Sequence, residues 1–157
     1  MATETYSLLF DGYWRAPNIA GLPSASGVYC VYACTHNVQG GTVSIRNLLY
    51  IGEASNVRNR VAGHERWAHW QSYLLPGEEL CFNAASIASA SDRQRTEAAM
   101  IFRHKPLCNL EYVNTFPFDV TTILTGGDSA RLDDVFTVYR TDADSLTALL
   151  AAMAGTR

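Results

Sequence analysis

No apolar run in this sequence extends beyond a few residues, and the start, Met1-Ala2-Thr3-Glu4-Thr5, has neither the basic opening nor the apolar block of a secretion signal. The sequence therefore predicts a soluble, cytoplasmic protein with no membrane partner. Cysteine is sparse. Cys30, Cys34, Cys81 and Cys108 are too few and too scattered for a disulfide framework, no Cys-x-x-Cys pair suggests zinc, and buried free thiols are expected. Lysine is nearly missing: Lys105 is the one lysine among twelve basic residues, so chemistry needing a neutral amine has almost no candidate. An excess of positive charge is absent as well. A net charge of −3 argues against a protein that grips nucleic acid with its whole surface.

What is present is enough apolar residue, 48% of 157, to bury the core of one domain. Charge is unevenly placed: residues 43–109 hold eight Arg or Lys against six Asp or Glu, and residues 110–157 hold three against seven. The basic groups thus sit in the middle of the chain. Residues 5–23 read as a short apolar segment, a turn at Asp11-Gly12 and an irregular stretch ending in proline. "SGVYCVYAC" (26–34) and "TVSIRNLLYIG" (42–52) predict an antiparallel hairpin with a long loop between them. Ser55 or Asn56 can cap a helix running to about Trp70, weakened at Gly63, and "ELCFNAASIA" (79–88) predicts a third strand. The clearest helix is "SDRQRTEAAMIFRHK" (91–105), with Ser91 as cap, Asp92 in the first turn, cations in the last and Pro106 as the stop. Beyond Asn109, "FDVTTILTGG" and "DDVFTVYR" predict two more strands and "DADSLTALLAAMA" a capped helix.

The central block gathers chemistry-bearing residue types. Tyr29 and Tyr50 lie on the two hairpin strands, Arg60 and His64 stand one helical turn apart, Glu97 is within the later helix and Asn109 just beyond it. At i,i+4, Arg60 and His64 share a helix face, so both can point at one site. Hydrolysis of a phosphodiester needs a hydroxyl or imidazole to handle water, a cation for the charged phosphoryl oxygens and a hard metal held by a carboxylate. This set supplies all three. Gly52 permits either close approach of backbone to a bulky ligand or a φ closed to other residues.

Order and spacing make the set more specific. Gly27-Val28-Tyr29, then Tyr50-Ile51-Gly52, then Arg60, His64, Glu97 and Asn109, resembles the GIY-YIG nuclease family, over about residues 26–109. The resemblance implies an α/β (α+β) fold with a β-β-α-β-α core, in which a small antiparallel sheet is flanked by helices. Around it, residues 1–25 would form an N-terminal extension packed on the core, and 110–157 an acidic C-terminal β/α extension of the same domain. The implied activity is metal-dependent endonuclease cleavage of nucleic acid, most simply DNA. Tyr29 and Tyr50 would line the nucleophile side, Arg60 would contact the scissile phosphate, and His64 would assist the base or orient water. Glu97 would bind a divalent metal, Mg²⁺ or else Mn²⁺, and Asn109 would brace the site by hydrogen bonding. The alternative is a catalytically inactive nucleic-acid-binding or protein-interaction module on the same fold.

The sequence departs from the family at Glu53 and Ala54, where many members carry a lysine or a small hydroxyl residue. A glutamate there repels a phosphate unless it pairs with a cation such as Arg58 or turns outward. Arg58, Arg66, Arg93, Arg95 and Arg103 flank the set as candidate phosphate contacts. Trp67 and Trp70, at i,i+3, fit a core-facing stripe better than base stacking. The acidity of residues 110–157 suggests packing or contact with a protein partner over contact with DNA.

Overall fold

The computed structural model describes residues 3–141. Its elements are β1 (Glu4–Arg15), a 3-10 segment (Ala16–Gly21), β2 (Gly27–Asn37), β3 (Thr42–Ala54), α1 (Val57–Ala62), α2 (Trp67–Gln71), β4 (Glu79–Ser86), α3 (Ala90–His104), β5 (Thr121–Gly127) and β6 (Val135–Val138). The strands form a six-stranded mixed sheet in the order β3-β2-β4-β1-β5-β6, in which β1 and β5 run parallel and every other neighbouring pair antiparallel. The fold is therefore α+β, on a larger and more mixed sheet than the small antiparallel one expected from the sequence.

β2 explains why the middle of the chain is so apolar. From Gly27 to Cys34 every residue is buried, because neighbours β3 and β4 cover both edges of β2 and helices cover both faces of the sheet. On one face Val28, Cys30, Tyr32 and Ile51 pack with Ala98, Ala99, Met100 and Ile101 of α3. On the other, Tyr29, Val31, Leu49 and Phe82 pack with Val57 and Val61 of α1 and Trp70 of α2. The four cysteines are free and buried, as expected.

Residues 4–15 do not turn at Asp11-Gly12. They run as one strand that changes partner, with Glu4–Phe10 beside β5 and Asp11–Arg15 beside β4 across a register shift at Gly12. Pairing on both sides overrides the local turn signal, and Gly12 serves close packing instead: a Cβ there would lie 3.0 Å from that of Asn83. The first predicted helix is two short ones. Asn56 caps α1 by accepting the Asn59 N–H, and the chain leaves the helix at Gly63 before α2 begins at Trp67. Ser89, not Ser91, caps α3, because its hydroxyl is the one that accepts the Asp92 N–H. Lys105, in the left-handed conformation, ends that helix ahead of Pro106. The strand, strand, helix, strand, helix order expected for 26–109 is thus present with its first helix divided. The predicted helix over 142–154 lies outside the described residues.

Candidate active site

The hairpin β2–β3 sets the geometry. Tyr29 faces Gly52 across the pair, and its ring lies over that glycine: a Cβ at Gly52 would stand 2.4 Å from the phenol oxygen and 2.5 Å from Cζ. Gly52 is inside β3, so the room it makes is for Tyr29 and not for a special φ at a strand–helix junction. Tyr50, two residues earlier on the strand, brings its ring centroid to 6.3 Å from that of Tyr29. His64 meets both edge-on, at 6.4 Å from Tyr29 and 5.3 Å from Tyr50, and Trp70 closes the cluster 4.4 Å from the imidazole.

His64 and Arg60 do not share a helix face. α1 ends at Ala62, the break turns the His64 side chain fully inward, and Arg60 stays 41% exposed. The His64 Nδ1 accepts the Arg66 N–H at 3.1 Å, so the neutral ring carries its proton on Nε2, which has no partner among the described residues. Burial, with Arg60 adding to it, lowers the His64 pKa to about 4. Burial likewise raises both phenols, so Tyr29 and Tyr50 are protonated at neutral pH.

Glu97 arrives on α3 from the other face of the sheet. Tyr50, Arg66, Glu97, Ile101, Asn109, Leu110 and Glu111 line one cleft of about 270 Å³. Burial, then the neighbouring charges of Glu53 and Glu111, push the Glu97 carboxyl up to about 8. Asn109 holds the rim of this cleft to β3: its Oδ1 accepts the Ile51 N–H and its Nδ2 donates to the Ile51 carbonyl, each at 3.0 Å. With Cys108 N–H donating to Leu49 O at 2.8 Å, these two residues act as a short substitute strand on the free edge of β3.

Arg60 lines a second depression of about 470 Å³ with Glu53, Ser55, Asn56 and Asn59. Its guanidinium is taken by Glu65 in a two-pronged pair at 2.7 and 2.9 Å, in place of the open cation expected from the sequence. Glu53 is paired as well, but with Arg93 at 2.8 Å and not Arg58. Four of the expected phosphate contacts therefore have structural partners, Arg103 through an exposed ion pair with Asp133 at 2.7 Å. Arg93 is buried against Glu53 and the Ala88 carbonyl. Arg95 is buried, with Thr121 and the Asp119 and Val120 carbonyls as partners. Arg58 donates to the Leu22 carbonyl at 2.6 Å. Trp70 is fully buried and Trp67 stacks on Phe82 at 5.4 Å, so both belong to the core.

Sequence reasoning missed Glu65 and Glu111, since nothing in their local spacing connects them to Tyr50 or Glu97. Among the described residues no group of three or more His, Cys, Asp and Glu side chains converges as a metal cage. The donor set at Glu97 nevertheless fits a hard cation held by a single carboxylate: a half-buried carboxyl with two acidic neighbours is charged most readily when a cation joins it. Comparison with models of known protein families, with curated proteins and with solved structures finds no match. No helix among the described residues is long and apolar enough to cross a membrane.

Proposed function

We propose that this chain is a metal-dependent endonuclease of the GIY-YIG type that hydrolyses phosphodiester bonds of nucleic acid, with DNA as the first substrate to test. The observation that carries the reading is the single cleft in which Tyr50, Glu97 and Asn109 meet, with Tyr29 and His64 packed directly behind Tyr50. Residues distant in sequence and named for one chemistry converge on one concave surface.

Tyr50 is the phenol on the cleft wall and Tyr29 supports it from beneath. Tyr50 therefore orients the attacking water by hydrogen bonding, and Tyr29 fixes the ring in place. His64, neutral and donating from Nε2, buttresses the same ring through its edge contact. Glu97 is the residue that would hold Mg²⁺ or Mn²⁺, with the substrate's own oxygens completing the shell. A divalent ion bound there would neutralise charge developing on the leaving oxygen. Asn109 keeps β3, and with it Tyr50, at a fixed distance from α3.

Purified protein incubated with supercoiled plasmid and with branched DNA, in Mg²⁺ and in Mn²⁺, tests the reading. Strand scission that is lost with chelator and lost in Glu97→Gln is expected. A wild type that cuts neither substrate refutes it. The Arg60–Glu65 pair and the acids Glu53, Glu97 and Glu111 favour a second reading, a module on this fold that binds without turnover. That reading requires binding of DNA or a protein partner that chelator and Glu97→Gln leave unchanged.

A further inference from the structure

A phosphodiester entering the cleft needs a cation on its wall, and the arginine expected to supply it, though near enough to act on Tyr50 and Glu97 electrostatically, has its guanidinium taken by Glu65. Arg60 lines the neighbouring depression and holds Glu65. Arg66 lines the cleft itself beside Tyr50 and Glu97. It is the one arginine whose side chain has neither hydrogen bond nor ion pair among the described residues, and its Nε is buried without a partner. Arginines are rarely left this way, because desolvating a guanidinium donor without an acceptor is costly. The residue is also firmly planted. Its N–H donates to His64 Nδ1 and its carbonyl accepts the Trp70 N–H at 3.0 Å, tying the base of the side chain to the aromatic cluster behind Tyr50.

Resting on the nuclease reading above, we propose that Arg66 is the residue that binds the substrate phosphate in the cleft. A planar guanidinium offers parallel N–H donors to two phosphoryl oxygens, and it faces the position where charge grows as water attacks beside Tyr50. Arg60, one depression away and exposed, is placed for a flanking phosphate that displaces Glu65. The division of labour gives the site two anchors along one nucleic-acid strand.

The test uses the full chain, wild type and with Arg66→Ala or Arg66→Lys, titrated into a fluorescein-labelled branched DNA in Ca²⁺ over a salt series. Cleavage of the same DNA is followed in Mg²⁺, and Tm reports folding. Arg66→Ala is expected to reduce the slope of log K against log salt by about 1. It should also lower kcat/KM by about 100-fold, with Tm close to wild type. Arg66→Lys is expected to keep the slope and still lose about tenfold in kcat/KM, since an ammonium keeps the charge without the two-pronged geometry. If Arg66→Ala unfolds, the Lys variant decides: a wild-type rate overturns the proposal. Wild-type slope and rate in Arg66→Ala overturn it and leave the nuclease reading intact. A wild type that binds but does not cut, with the slope still falling in Arg66→Ala, refutes the nuclease reading and leaves the phosphate contact standing. A wild type that does not bind DNA overturns both.

Discussion

Substituting Gly52 by alanine puts one methyl group where the Tyr29 ring already lies. The added carbon would stand 2.4 Å from the phenol oxygen, 2.5 Å from Cζ and 2.9 Å from Cε1, all shorter than any real Cβ contact. Tyr29 is only 1% exposed and is walled by Leu49, Val57, Ala84 and their neighbours, so the ring has nowhere to retreat without opening the core. Overpacking of this kind costs about 1–3 kcal/mol. Tyr29→Ala removes the obstruction at a cost of about 3–5 kcal/mol for the cavity. In that background Gly52→Ala should change sign and stabilise by about 0.4–1 kcal/mol, because Gly52 does not use a φ closed to alanine and the substitution restricts the unfolded chain. Urea denaturation of the four proteins of the cycle, all in the same stabilising concentration of sucrose, measures the coupling. A coupling of about 2 kcal/mol or more is expected, and additivity within about 0.5 kcal/mol would refute the account of why a glycine follows Tyr50-Ile51.

Asn109→Leu should cost about 2–4 kcal/mol, since it leaves the Ile51 N–H and carbonyl unpaired; Asn109→Asp should fall between it and wild type, and amide exchange at Ile51 should quicken in step. His64, neutral when folded with a pKa near 4 against about 6.5 when unfolded, adds stability that is complete above pH 6.5 and is lost as pH falls towards 4. The loss is about 2–3 kcal/mol, read as a drop in the urea midpoint between pH 7 and pH 4 that is much flatter in His64→Asn; equal slopes would contradict the burial of the ring. Glu65→Gln releases Arg60 and should tighten DNA binding several-fold at low salt, an effect that fades as salt rises; unchanged or weaker binding in a fluorescence-anisotropy titration would count against Arg60 as a phosphate anchor.

The sequence carried the elements whose signals are local. The alternation and apolar run of residues 26–52, the capping asparagine before α1 and the charge layout of α3 are each written within a few residues, so strands, helices and their order between 26 and 109 were legible. Ordered spacing also singled out Tyr29, Tyr50, Glu97 and Asn109, which do meet or pack around one cleft. Pairing between distant segments was not legible. Asp11-Gly12 reads as a turn until β4 and β5 grip the strand on either side. The role of Gly52 depends on a ring one strand away. Arg60 and Arg66 have the same chemistry in sequence, and only the helix break at Gly63 separates them, leaving one paired with Glu65 and the other on the wall beside Glu97. Local pattern fixes which backbone conformation each stretch prefers. Which charge finds a partner and which stays available to a ligand is decided by side chains brought together from far along the chain, and that requires the folded structure.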